Sequence, residues 1–186
     1  QPVRMIGTVQ DITERKQAEA ALQRQLRELT LLHAVAIHAA TAGNEDALIS
    51  QVTDLIGQTF CPDNFGFLLL DEKAGVLRPH ASYRGSEETP IEFIRLGEGV
   101  TGRVAMDGKA RRIADVRKKK KYIKVSPEAR SELCVPLRIG GHITGVINAE
   151  SRQVDAFSAE EERLLVTLGG QVATAIERLR AQVAER

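Results

Sequence analysis

Few side chains in this chain of 186 residues belong to the types that do covalent or metal chemistry. There are two cysteines, Cys61 and Cys134, and four histidines, His33, His38, His80 and His142. The cysteines lie far apart with no partner at metal-ligand spacing, so neither a disulfide framework nor a zinc site is expected. No two histidines stand four apart, and no Gly-x-Ser-x-Gly elbow or metal-binding helix motif occurs. Cys134 alternates with Leu133 and Val135, which suits a small residue on one face of a central strand. The stretch "LGEGVTGRVAMDG" is more informative, with Gly97, Gly99, Gly102 and Gly108 inside residues 96–108. A phosphate loop needs a lysine and a hydroxyl after its last glycine, at the start of a helix. Here "GKA" follows the helix and lacks the hydroxyl. The glycines therefore serve the backbone: Gly97 and Gly99 permit a sharp entry, and Gly102 a close approach of the helix to the sheet.

A basic run follows. Between Lys109 and Lys124 there are nine lysines and arginines and one acid, Asp115. The Lys118–Lys121 core could hold phosphates, but Tyr122 is its sole aromatic neighbour and no DNA-binding motif accompanies it. A solvated loop or an anionic ligand suits it better than nucleic acid. The whole chain carries a formal charge of only +1, so no global pull toward nucleic acid or membrane is expected. No apolar run approaches the roughly 18 to 20 residues of a membrane span, and no signal peptide is evident. A cytoplasmic protein is expected, and the opening Gln predicts a piece of a longer chain.

The elements that must position these residues follow from periodicity. Residues 1–12 alternate like a strand. From Glu14 to about Ala42 a helix is expected, capped by Thr13, with Leu22, Leu26, Leu29, His33, Ala36 and Ala40 at intervals of three and four. That stripe fits a helix packed on its own domain or a parallel dimeric coiled coil. A second helix is expected over 46–60, capped by Asn44 or Thr41. "FGFLLLD" is a continuous apolar run, the mark of a central strand. "VLRPHASY" is a second strand, in which Pro79 argues for an edge or irregular position. "IEFIRL" is a third, short strand. A helix from Val100 stops at Gly108, and "ARRIADV" returns to a strand. "ELCVPLRIGGHITGVINAES" is a hairpin turning at Gly140-Gly141. Ser158 caps a last helix, in which Leu164, Leu168, Val172, Ala175, Leu179 and Val183 form another stripe. The fold class is α+β: a mainly antiparallel sheet of five to six strands with helices packed on one face and long helices at both ends.

The linked motifs "LGEGVTGRVAMDGKARRIADV", "SELCVPLRIGGHITGVINAES" and "FSAEEERLLVTLGGQVATAIE" closely resemble the GAF domain of bacterial signalling proteins, across roughly residues 28–180. "GTVQDITERKQAEAAL" resembles the exit of a PAS domain and its linker helix. The resemblance implies a PAS remnant over 1–13, a linker helix over 14–42, a GAF domain over 43–180 and an exit helix from 181. It also implies a small-molecule pocket covered by residues 99–134. Candidate lining residues, chosen by resemblance and strand parity, are Phe67, Leu69, Ile113, Asp115, Val116, Ser131 and Cys134.

Departures from the family limit the ligand. Neither cysteine sits in a bilin-attachment context, and no histidine stands out as a haem ligand, with His80 the weak candidate. The Asn-Lys…Phe…Asp-Glu pattern of cyclic-nucleotide binders is absent. A GAF-fold methionine sulfoxide reductase uses several cysteines in set positions that these two do not supply. No cofactor and no metal are therefore assigned, and no catalysis is expected within the chain. The full-length protein could be a histidine kinase or a cyclic-di-GMP enzyme. The expected function is a sensory module that binds a small ligand and signals through dimeric helices, with a ligand-free dimerising relay as the alternative. The homodimer seam is assigned to Leu22, Leu26 and Leu29 with Leu164, Leu168, Val172 and Leu179.

Overall fold

The computed structural model describes residues 12–60, 62–85, 91–119, 122–123 and 127–185. The strand expected at the N-terminus, and with it the PAS-like exit, lies outside these residues. Helix α1 runs Thr13–Thr41 and α2 runs Glu45–Phe60. Strands β1 (Asn64–Asp71), β2 (Val76–Pro79) and β3 (Ile94–Arg95) follow, then α3 (Thr101–Asp107) and β4 (Arg111–Ile113). A 3-10 turn at Val116–Lys118 leads toward β5 (Ser131–Ile139), β6 (His142–Ser151) and α4 (Ala159–Ala184). The six strands form one sheet in the order β3-β2-β1-β6-β5-β4, and every pairing is antiparallel.

Strand parity divides the core into two layers. Phe65 and Phe67 of β1, Leu133, Val135 and Leu137 of β5, and Ile147 and Ala149 of β6 point to one face. Against them pack Leu31 and Val35 of α1, Leu48, Ile49, Val52 and Ile56 of α2, and Leu165, Leu168, Val172 and Ile176 of α4. Each such side chain contributes about 1.5–3 kcal/mol on burial, so this layer supplies most of the driving force. The opposite face presents Leu68, Cys134 and Val146 to Val104 and Ala105 of α3. Three helices thus share one face, as the α+β expectation has it, and the short α3 covers the other.

Local chemistry sets the element ends. Ser158 accepts from the Glu161 amide while Glu161 reaches back to the Ser158 amide, a complete capping box. Asn44 Oδ1 accepts from the Ala47 amide at 2.8 Å and starts α2, while Thr41 ends α1 instead. Thr13 is the first helical residue of α1 rather than its cap, the cap position falling on Ile12. Pro79 closes β2 at its last position, so a strand with a neighbour on each side tolerates it. Arg180 grips Glu45 with two hydrogen bonds of 2.8 and 2.6 Å, and Arg178 donates to the Ala39 carbonyl, tying α4 to both N-terminal helices.

The glycine segment behaves as its composition predicts. Gly97 and Gly99 have positive φ, 82° and 61°, and turn the chain from β3 into α3. At Gly102 a Cβ would collide with the Arg95 carbonyl oxygen, so only glycine lets α3 lie this close to β3.

Candidate functional site

The face of the sheet beneath α3 is apolar at one end and polar at the other. β5 places Glu132 and Cys134 on this face, and β6 places Val146, Asn148 and Glu150 beside them. The register sets Glu132 directly opposite Glu150, and Cys134 opposite Asn148. On the far side of β6, Asn64 of β1 pairs with Glu150. Glu132, Asn148 and Glu150 are buried.

Two tyrosines cover this patch. Tyr122 donates its hydroxyl to Glu150 Oε1 at 3.1 Å, and Asn64 Nδ2 donates to Glu150 Oε2 at 3.0 Å. Asn148 Nδ2 donates to the Tyr83 hydroxyl at 3.3 Å. Tyr83 lies flat on β1 because residue 66 is glycine, where a Cβ would come within 2.6 Å of the tyrosine ring. Two acceptors in the patch, Glu132 Oε2 and Asn148 Oδ1, have no hydrogen-bond partner among the described residues. A buried acceptor left in that state costs about 1–3 kcal/mol, so the patch has unused capacity for a donor.

Its electrostatics agree. Burial pushes the Glu150 carboxyl up to about 7, against which its bonds from Asn64, Tyr122 and Asn148 work. Burial, then the facing Glu150 charge, pushes Glu132 well above the ordinary carboxylate range. Two facing buried carboxylates cannot both ionise cheaply, so near neutrality the pair retains a proton. Burial, then the Glu132 charge, also holds the Cys134 thiol protonated well above its usual range.

Outside Tyr122 a cleft of about 740 Å³ opens along β4, lined by Gly99, Val100, Arg103, Arg111, Ile113 and Lys119 among others. Arg111 forks onto Asp107 with bonds of 3.0 and 2.7 Å, and holds that carboxyl down to about 2. Arg112 binds Glu162 at 3.2 Å and the Phe157 carbonyl at 3.1 Å.

The candidate residues separate in space. Ile113 and Cys134 lie on the α3 face, and Val116 is buried beneath the 3-10 turn. Asp115 caps that turn, accepting from the Arg117 amide and pairing with its guanidinium, which lowers its carboxyl to about 2. Phe67 and Leu69 belong to the helical layer, on the opposite face. Ser131 also faces away, its hydroxyl donating to the Gln153 carbonyl at 2.7 Å. Of the seam residues, Leu22, Leu26 and Leu29 are exposed on α1. Leu168, Val172 and Leu179 are buried and Leu164 partly so, all within the chain's own core, so the second stripe closes on its own domain. His80 is held by Asp46 and Ser82 at the end of β2.

Glu132, Asn148 and Glu150, with Tyr83 and Tyr122, were not among the residues chosen from sequence. The signal was present as polar residues at alternate positions of otherwise apolar strands, in "SELCV" and "INAES". Among the described residues no three metal-ligating side chains cluster, and no helix is long and apolar enough to cross a membrane.

A six-stranded antiparallel sheet with three helices on one face, and a short helix beside a buried polar patch on the other, defines the class of domain. The family model for the GAF domain matches residues 42–177, and the chain belongs to that family. It is 33% identical over 119 residues to protein YtsP of Bacillus subtilis (strain 168), covering 63% of this chain and 68% of that protein. It is 28% identical over 134 residues to the free methionine-R-sulfoxide reductase of Escherichia coli (strain K12), covering 72% and 74%. Its fold matches that of the Neisseria meningitidis free methionine-R-sulfoxide reductase in complex with its substrate. That match has a TM-score of 0.77 and 23% identity, over 96% of this chain and 98% of that one. These comparisons overturn the expectation of a chain without catalysis. A relative over 72% of its length is a free methionine-R-sulfoxide reductase, and a solved reductase shares its fold, so an enzyme stands among its relatives where none was expected. Counting cysteines at set positions was too narrow a criterion for excluding one.

Proposed function

We propose that the chain takes up a small polar molecule at the buried polar patch beneath Tyr122, and acts on it as the free methionine-R-sulfoxide reductases act on theirs. The observation that supports this reading is the pair of partnerless buried acceptors, Glu132 Oε2 and Asn148 Oδ1. A ligand carrying N–H or ammonium donors satisfies both and can share the retained carboxyl proton. Cys134 is the described cysteine on this face. Reduction there would move the sulfoxide oxygen to the thiol sulfur, leaving methionine and a sulfenic acid; an added dithiol condenses with it, releasing water, and then closes to its own disulfide to free the Cys134 thiol. Because burial holds that thiol protonated, the filled patch must favour its thiolate for reaction to occur.

The test pairs calorimetry with L-methionine-R-sulfoxide and an assay for methionine in the presence of dithiothreitol. Expected are saturable heat and methionine release, with Cys134→Ser abolishing release while retaining binding. Absence of both heat and product overturns the reading.

A second reading is carried by the exposed Leu22, Leu26 and Leu29. At heptad-like spacing they fit the α1 stripe of a second copy, so the domain acts as a homodimer that passes the state of its polar patch along its end helices. This reading is compatible with turnover.

A further inference from the structure

β4 (Arg111–Ile113) is the last strand of the sheet, and among the described residues no strand pairs with its outer side. Alternate residues of an edge strand turn their N–H and C=O groups away from the sheet. Either Arg112, or Arg111 together with Ile113, therefore offers its backbone outward. The cleft of about 740 Å³ lies along this edge. Successive side chains of a strand point to opposite faces, yet all of residues 110–113 line the one cleft, which places it at the rim of the sheet. Its walls agree: Arg103 belongs to α3, on one face, and Glu162 to the first turn of α4, on the other. The edge is closed at both ends. The Lys109 carbonyl accepts from the Arg111 guanidinium, and the Ala114 carbonyl from the Asp155 amide.

Charge selects what can pair there. Arg103, Arg111, Arg112 and Lys119 face a single acid, Glu162, among the cleft's described lining residues. Arg111 and Arg112 are engaged by Asp107 and Glu162. Arg103 and Lys119 are exposed and have no ion pair among the described residues. Charges on an edge ordinarily keep strands from pairing at all. Here they share one sign, so they repel a strand that repeats them and admit one of opposite charge. Two copies of β4 would set arginine against arginine, which disfavours a second copy at this edge.

We propose that β4 is a docking edge for an acidic, extended segment of a partner protein, which adds as a further strand with its backbone on β4 and its carboxylates on Arg103 and Lys119. Main-chain bonds orient the segment, and the ion pairs select it. The edge is short, so few main-chain bonds form, the charges carry much of the affinity, and binding weakens as salt rises.

The test uses the intact chain and a blocked hexapeptide of alternating Glu and Val, followed through the backbone amide NMR signals of Arg111–Ile113. Saturable shifts are expected, with no response to the Lys-Val counterpart. Arg103→Gln/Lys119→Gln changes two exposed side chains, so the melting temperature should hold. Affinity for the acidic peptide should fall about tenfold or more, the loss of a charged hydrogen bond. No saturable shift, equal affinity in the variant, or an equal response to the Lys-Val peptide overturns the proposal.

Backbone pairing has its own control. N-methylating the Glu amides and, separately, the Val amides blocks one edge of the peptide strand at a time. One set should abolish binding and the other leave it within about twofold. Equal effects mean that the peptide is not held as a strand, and overturn the proposal. Shifts at Arg111–Ile113 that follow the protein's own concentration, with no peptide added, make a second copy the occupant and overturn it too.

Discussion

Glu132 and Glu150 face one another across β5 and β6, and their titration ties the polar patch to stability. The Glu150 carboxyl, ordinarily near 4.5, rests near 7 in the fold, so the native state binds a proton that the unfolded chain has released. Its contribution is fully present below the unfolded value and is lost as pH rises through the folded one. The size is on the order of 3 kcal/mol, and the coupled Glu132 acts in the same direction. Urea unfolding is expected to show stability declining between about pH 5 and pH 8. Glu132→Gln places a neutral amide opposite Glu150 and should flatten that decline, gaining about 1–3 kcal/mol at pH 8. A profile as steep in the variant as in the parent protein would remove the pair as its cause. The same substitution trades an acceptor for a donor, so affinity for a donor ligand should fall while stability rises. These residues were hard to find from sequence because one strand alone carries no pairing. Glu132 and Glu150 are 18 positions apart in "SELCV" and "INAES", and only the hairpin register makes them opposite.

At the scale of elements, the same hairpin was legible, because Gly140-Gly141 between two β-branched runs admits few alternatives. So were the Ser158 cap and the Gly108 stop of α3, since cap and turn chemistry is local. Ser158→Ala removes the bond to the Glu161 amide and should cost about 1 kcal/mol in urea unfolding, with Ser158→Gly costing less. What local chemistry could not set was which face a fully apolar strand presents. "FGFLLL" is covered on both sides, so Phe67 and Leu69 could not be told from Gly66 and Leu68 until β6 fixed the register. The placement of α3 depends likewise on one position. Gly102→Ala drives a methyl into the Arg95 carbonyl and must lift α3 from β3, so a loss of about 1–3 kcal/mol is expected. Because α3 covers the apolar end of the face that carries the polar patch, ligand affinity should fall with it, and an unperturbed binding isotherm would show that α3 contributes nothing to the site.

Across the whole molecule, the two long helices have different jobs despite similar stripes. In α4 the stripe is the core: Leu168 and Val172 are fully buried, and Leu179 nearly so. In α1 the buried residues are Leu31 and Val35, near its C-terminal half, where α2 and α4 cover it. The preceding turns present Leu22, Leu26 and Leu29 at 57%, 55% and 63% exposure, more apolar surface than a lone helix gains from leaving in water. Spacing alone gives these two stripes the same meaning, because periodicity reports that a face is apolar and not what covers it. Mutation separates them. Leu26→Glu puts a charge on a surface with no contact to the domain core, so melting of the sheet should hardly change while a dimer seen by light scattering dissociates. Leu168→Glu buries a charge beneath β5 and should cost several kcal/mol, enough to unfold the domain whatever its oligomeric state. If Leu26→Glu leaves the oligomeric state unchanged, the α1 stripe is not a self-association surface. If it dissociates the dimer and also lowers ligand affinity, the end helices and the polar patch are coupled, and by reciprocity the ligand must strengthen the dimer by the same factor.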